Sequence, residues 1–97
     1  MVATLLLHEK RLVEGAAGIG VAELMVWSVP RSKDHPAGRK FRLFFVVEGR
    51  VVVGLDDHKP KGPHLHLDGR EVAYDFTTVE KLVEDFWAHV RKAGFPL

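Results

Sequence analysis

The stretch KFRLFFVVEGRVVVGLD, Lys40–Asp56, decides the fold of this chain. Its first half alternates, and one face carries four large apolar side chains: Phe41, Leu43, Phe45 and Val47. Such alternation is typical of a β-strand whose two faces meet different surroundings. The dipeptide Glu48–Gly49 predicts a tight turn, after which Arg50–Asp56 returns antiparallel to the first strand. We therefore expect a β-hairpin at the centre of an antiparallel sheet, with Gly54 marking a bulge or a close approach.

Further strands are predicted on both sides of this hairpin. Val2–Leu12 is rich in apolar residues that favour strands, and the glycine-rich segment Glu14–Gly20 predicts a turn. Val21–Val29 predicts a second strand, which Pro30 ends. Because both of its faces are largely apolar, we expect this strand to be central or covered on both sides. His64–Leu67 predicts a short strand that is followed by a turn and another extended segment.

The C-terminal segment predicts a helix. Thr77 is a suitable N-cap, and Glu80 three residues later would complete a capping box. Apolar residues then recur at helical spacing: Val79, Leu82, Val83, Phe86 and Val90. Gly94 and Pro96 end the pattern. The fold class that we predict is α+β, a curved antiparallel sheet of about five strands with one C-terminal helix packed on it.

Composition and charge restrict the functional classes. The chain has 97 residues, of which 46% are hydrophobic and 28% charged, and it has no cysteine. We expect a single domain spanning residues 1–97, in the cytoplasm and without a membrane segment. The net charge is only +1, but five basic residues lie between Arg31 and Arg42, and four acids lie between Asp75 and Asp85. Basic loops of this kind favour an anionic partner such as nucleic acid, although charged loops are often simply solvated.

The segment DDHKPKGPHLH, Asp56–His66, concentrates the chemistry of the chain. It holds three of the six histidines and two lysines. If His64 and His66 lie in an extended segment, their side chains point the same way. One neutral and one protonated imidazole can then act as general base and general acid, because the ordinary pKa of histidine is about 6.5. Cleavage of RNA by its own 2′-hydroxyl needs such a pair.

Positive charge near the two histidines would stabilise the phosphate in that reaction. Pairing about Glu48–Gly49 brings the start of one strand close to the end of the next. We therefore predict that three residues converge there: catalytic Lys61, and substrate-binding Lys59 and Arg42. Lys40 is a further predicted substrate-binding residue. Asp56 and Asp57 are also predicted substrate-binding residues, and one of them would orient a histidine.

Two other interpretations stay open at this point. His58, His64 and His66, with Asp56, offer ligands for a divalent metal, although their spacing matches no closed zinc module. This alternative predicts a metal-dependent nuclease or phosphatase. The histidine pair can also be purely structural, in which case the chain would be a non-catalytic module that binds nucleic acid or protein.

Four segments together resemble one protein family. They are ELMVWSVP (Glu23–Pro30), KFRLFF (Lys40–Phe45), VGLDDHKPKGPHLH (Val53–His66) and DFWAHV (Asp85–Val90). The pattern, over roughly Leu5 to Arg91, resembles the TumE-type family of toxin–antitoxin proteins. Its most specific part is Lys61-Gly62-x-His64-x-His66. Two departures are visible: Asp57 stands where many members have asparagine, and Leu65 stands where many have a basic residue.

The resemblance implies a toxin that a partner protein inhibits, typically a helix-turn-helix antitoxin encoded beside it. Adding the chemistry of the histidines, we predict a small ribonuclease that uses His64 and His66 and needs no metal or other cofactor. Its substrate would be RNA. The sequence is compatible with an oligomer and does not specify one.

Overall fold

The computed structural model describes residues 2–57 and 62–96. It contains a six-stranded antiparallel sheet and one C-terminal helix. In chain order these are β1 (Thr4–Gly15), β2 (Gly18–Ser28), β3 (Arg39–Val47), β4 (Arg50–Asp56), β5 (His64–Leu67), β6 (Arg70–Ala73) and α1 (Val79–Lys92). The strands are adjacent in the order of the chain, and the sheet is curved and unclosed. The predicted α+β class is confirmed, with six strands instead of about five.

The central hairpin is present where the sequence predicts it. Phe45 pairs with Val53, and Val47 pairs with Arg50 across the turn. Glu48 and Gly49 both have positive φ, 50° and 76°. This combination is typical of a type I′ turn, whose twist matches the strands that it joins. Asp68–Gly69 makes the same kind of turn between β5 and β6, with φ values of 46° and 89°.

The predicted turn over Glu14–Gly20 is wrong in extent. β1 runs to Gly15 and β2 starts at Gly18, so only Ala16 and Ala17 lie between the two strands. The glycines of this segment lie within the paired strands. A Cβ on Gly20 would lie 2.1 Å from Phe45 Cζ, so Gly20 leaves space for that ring within the core.

The sheet has two unlike faces. The inner face carries the alternating apolar residues of β2, β3 and β4, and α1 packs on it through Leu82, Phe86 and Val90. The most fully buried residues of this core include Leu24, Leu43, Phe41, Phe45 and Leu55. The outer face is the opposite one, and on β2 it carries exposed Glu23 and half-buried Met25 and Trp27. β2 is therefore central between β1 and β3, but the helix covers only one of its faces.

The helix begins one residue later than predicted. Thr78, not Thr77, is the N-cap, and its hydroxyl accepts a hydrogen bond from the Lys81 amide at 3.1 Å. The predicted capping box between Thr77 and Glu80 is therefore wrong. Glu80 instead lies in the first turn, where a carboxylate favours the helix dipole.

Among residues 2–57 and 62–96, no helix has both the length and the apolar character needed to span a bilayer.

Candidate functional site

The outer face of the sheet brings several of the predicted site residues together. Arg42 on β3 pairs in register with Asp56 on β4, and Asp56 pairs with His64 on β5. Residues that pair across antiparallel strands point to the same face. The neighbouring outer-face row contains Phe44, Gly54 and His66. We call Asp56, His64 and His66 the acid–histidine cluster.

His64 is held on both sides of its ring. Its Nε2 lies 2.7 Å from Asp56 Oδ1, and its Nδ1 lies 2.8 Å from the Gly62 carbonyl oxygen. The side chain is only 8% exposed. A carbonyl oxygen accepts and cannot donate, so Nδ1 carries a hydrogen and donates it to Gly62. The ring orientation and the hydrogen position at Nδ1 are therefore both fixed.

The second nitrogen of His64 then has two chemical options. A carboxylate also accepts, so Nε2 can donate a hydrogen to Asp56 if the ring is an imidazolium. Alternatively, Nε2 and the carboxylate can both bind one cation, as in metal sites where the other ring nitrogen donates to a carbonyl. The geometry of His64 suits either a paired acid or a metal ligand.

His66 is the more accessible histidine. Its side chain is 29% exposed, and its Nε2 lies 3.7 Å from Asp56 Oδ2. Its Nδ1 lies 3.9 Å from Glu71 Oε2 on β6. The rings of His64 and His66 stand edge to face with their centroids 4.7 Å apart. Since neither contact of His66 is a short hydrogen bond, this imidazole is the better placed of the two to exchange a proton with a ligand.

The acid–histidine cluster also has the spacing of a metal site. One ligand atom from each of its three residues lies within 4.8 Å of the others. The predicted metal set included His58, which lies outside the described residues. The other three predicted ligands are the cluster itself, and two imidazoles and one carboxylate suit several divalent transition metals.

Asp57 does not belong to the acid–histidine cluster and makes its contacts elsewhere. It is 5% exposed, and its Oδ1 accepts a hydrogen bond from the Phe41 amide at 3.1 Å. Its Oδ2 lies 3.4 Å from His35 Nδ1. Burial raises the pKa of Asp57, against the lowering effect of the Phe41 amide and of His35. The carboxylate, just after β4, therefore contacts the start of β3 and the loop before it, and it is not part of the cluster.

The predicted cations are only partly described. Arg42 is exposed on the outer face, with its guanidinium carbon 5.5 Å from the centroid of the Phe44 ring. Lys40 lies two residues away on the same face, with its Nζ 5.6 Å from the Trp27 ring. Lys59 and Lys61 lie outside the described residues. Two of the four predicted cations thus lie on the same face as the cluster.

Gly54 explains how Phe44 comes next to the cluster. A Cβ on Gly54 would lie 2.9 Å from Phe44 Cε1 and 3.4 Å from His66 Cβ. The close approach that the sequence predicts at this glycine is therefore present. The strand irregularity itself lies nearby, between the pairs formed by Phe45 and Val46.

Three contacts of the site were not predicted from the sequence. They are the Gly62 carbonyl at His64, Glu71 beside His66, and His35 beside Asp57. The position of Glu71 follows from a two-residue turn at Asp68–Gly69, because that turn pairs position 66 with position 71. The other two contacts come from loops, whose geometry no periodic pattern reveals.

Comparison with known proteins agrees with these features of sequence and structure. The family model described as Toxin TumE matches residues 4–93, nearly the whole chain. Neither the curated proteins nor the solved structures include a significant match. The match spans all six strands and the helix, and it includes the acid–histidine cluster. On this evidence the chain belongs to the TumE toxin family.

Proposed function

We propose that this toxin cleaves RNA, and that the acid–histidine cluster does the chemistry without a metal. The observation that carries the proposal is the pairing of one carboxylate with two imidazoles, one enclosed and one accessible, on the outer face. Exposed Arg42, in register with Asp56, adds positive charge for a phosphate. Membership of a toxin family supports a toxic action in the cell, and cleavage of RNA would be one such action.

The reaction would be a transesterification. His66 takes the proton from the ribose 2′-hydroxyl, and the 2′-oxygen forms a bond to the adjacent phosphorus. The bond from phosphorus to the 5′-oxygen of the next nucleotide breaks, and that oxygen receives the Nε2 proton of His64, which leaves its hydrogen bond to Asp56 to do so. The products are a 2′,3′-cyclic phosphate and a free 5′-hydroxyl. Asp56 holds the His64 imidazolium, while Arg42, with Lys40, Lys59 and Lys61, would bind the phosphate oxygens.

Expression in cells tests the assignment of the histidines. We expect His64→Ala and His66→Ala each to relieve growth arrest, since general acid–base groups typically contribute about 10²–10⁴-fold in rate. Because His64 is buried, His64→Gln is a second variant that retains an amide donor there. His89→Ala, on α1, is the matched control and should stay toxic.

Circular dichroism and urea unfolding must show that each variant is folded. Folded variants at both positions that remain fully toxic would contradict the proposal. A folded His66 variant that is harmless, beside a toxic His89 variant, would support it.

A metal-dependent phosphoesterase is the second candidate. The observation that favours it is the convergence of three ligand atoms within 4.8 Å, with His64 Nδ1 donating to a carbonyl. Metal analysis of the purified protein separates the two candidates, together with cleavage assays with and without chelator. A non-catalytic binding module is the third candidate, and it would show steeply salt-dependent RNA binding with no turnover.

The partner is part of the proposal. A toxin family implies an antitoxin in general, and we infer a helix-turn-helix protein encoded by the neighbouring gene. An RNA target would place both proteins in the cytoplasm. Co-expression of that gene should restore growth, and its product should co-purify with the toxin. A neighbouring gene of another class, or one that gives no protection, would contradict this part.

A further inference from the structure

A cavity of about 500 Å³ opens on the outer face beside the acid–histidine cluster. Its floor is apolar and includes Met25, Phe44 and Val46, and its rim carries three charged side chains: Lys10, Glu23 and Arg42. Small-molecule sites have this volume and this combination of an apolar surface with a few polar groups.

The cavity lies next to the cluster. Arg42 lines the cavity and is the register partner of Asp56. Phe44 also lines it and pairs with Gly54, which in turn pairs with His66. Phe44 and His66 are two strands apart, about 9–10 Å at the usual spacing between strands. One ligand can therefore reach from the cavity floor to the two imidazoles.

The lining suits a nucleobase. Proteins that bind single-stranded RNA place unstacked bases against aromatic side chains and read their edges with polar groups. Phe44 supplies the aromatic ring, and Met25 and Val46 supply further apolar contact. Arg42 lies between this surface and the cluster, where a phosphate joined to the bound nucleoside would lie.

The charged rim indicates which base would fit best. Glu23 Oε2 lies 3.0 Å from His8 Nε2, and this hydrogen bond lowers the pKa of Glu23, so its carboxylate remains an acceptor. Lys10 is its register partner on β1 and supplies a donor. Guanine presents two adjacent donors, N1–H and the N2 amine, beside the acceptor O6. Glu23 and Lys10 together match this order of donors and acceptor.

We infer that this cavity is the base subsite of the enzyme and that it prefers guanine next to the cleaved phosphate. The inference rests on the proposed ribonuclease function. It assigns specificity to Phe44, Glu23 and Lys10, none of which belongs to the cluster.

Cleavage of four oligoribonucleotides that differ only in the base at one position tests the preference. The guanine substrate should have the highest kcat/KM. Phe44→Leu keeps the side chain apolar without a ring and should lower kcat/KM for it by about ten-fold, the order expected for one stacked base. Glu23→Gln should reduce the ratio of guanine to adenine cleavage by about ten-fold. Val72→Ala, exposed on β6 and outside this lining, is the matched control.

Binding of mononucleotides separates the subsite from the chemistry. Guanosine 3′-monophosphate, titrated into the folded His66→Ala variant, should shift the NMR signals of Phe44 and Met25 and bind more tightly than the adenosine, cytidine and uridine analogues. If RNA is cleaved but neither Phe44→Leu nor Glu23→Gln alters base preference, the subsite is wrong and the ribonuclease stands. If no RNA is cleaved yet the guanosine nucleotide alone binds here, the ribonuclease is wrong, and the cavity is a guanosine-binding site with no part in cleavage. Equal or absent binding of all four overturns the subsite.

Discussion

At the scale of single residues, two adjacent carboxylates have opposite roles. Asp56 lies on the outer face, with an oxygen 2.7 Å from His64 Nε2. Asp57 points to the opposite side and accepts from the Phe41 amide. Successive side chains of an extended chain point to opposite sides, so these two neighbouring carboxylates lie on opposite sides of the sheet, one in the cluster and one buried.

This difference predicts unequal effects on activity. Asp56→Asn removes the charge that holds the His64 imidazolium and should lower RNA cleavage by roughly 10²-fold, the lower end of what general acid–base groups contribute. Asp57→Asn keeps an oxygen for the Phe41 amide, leaves the cluster intact, and should retain most of the activity. The kcat values of the two folded variants measure this. Equal losses for both would contradict the distinct roles.

Asp57 should also affect stability in a pH-dependent way. Because burial raises its pKa, the folded state binds the proton more tightly than the unfolded state does. The resulting stabilisation is fully present below the unfolded pKa, about 4, and is lost as the pH rises through the folded pKa. Asparagine does not titrate, so the stability of Asp57→Asn relative to wild type should increase as the pH rises above about 4. Urea unfolding across this pH range measures the difference, and a relative stability that falls instead would contradict the raised pKa.

At the scale of elements, the strands with strict alternation were predictable and the connections were less so. Lys40–Asp56 forms its hairpin as predicted because a buried face and a tight turn both specify one register. The segment Glu14–Gly20 was predicted as a turn because glycine usually marks one. In the structure all three of its glycines lie within paired strands, and Gly20 leaves space for the Phe45 ring.

The candidate site was likewise predictable only in part. The spacing of His64 and His66 already predicts that they share a face, as they do, and the hairpin predicts Arg42 at the end of the sheet where β4 ends. The choice between Asp56 and Asp57 was not predictable, because it depends on where β4 ends. The cavity beside Phe44 depends on four strands and on the missing side chain at Gly54, and no local pattern contains that information.

The helix start gives a test with a built-in control. Thr77 and Thr78 are adjacent and both exposed, but only Thr78 caps α1. Thr78→Ala should lower the free energy of unfolding by about 1 kcal/mol, the usual value for an N-cap. Thr77→Ala should change it by less than about 0.5 kcal/mol, as expected for a surface substitution. Urea denaturation of both variants decides, and a larger effect at Thr77 would restore the capping box predicted from the sequence.

At the scale of the whole molecule, one face of the sheet carries the stabilising core and the other carries the candidate catalytic groups. The inner face holds the core and α1, whereas the outer face holds the cluster, the cavity and the cations Lys10, Lys40 and Arg42. Because the helix packs on the inner face, its acidic residues Glu80, Glu84 and Asp85 lie on that side of the sheet. An RNA strand approaching the molecule should therefore bind on the outer face.

This division predicts how salt affects RNA binding. Each phosphate contact contributes about 0.7 to the slope of log K against log salt for a single strand. Lys40→Ala, on the outer face, should reduce the magnitude of the slope by about that amount. Lys92→Ala, on the helix, should leave it unchanged. Fluorescence anisotropy with a catalytically inactive variant gives both slopes, and a larger effect of Lys92 would place the RNA on the other face.

The most direct test is cleavage of a labelled RNA by the purified toxin in the presence of chelator, with identification of the new ends. The account predicts that wild type produces a 2′,3′-cyclic phosphate at an undiminished rate, and that folded His66→Ala cleaves at least about 10²-fold more slowly. Cleavage that chelator abolishes, or a His66→Ala variant as fast as wild type, would contradict it.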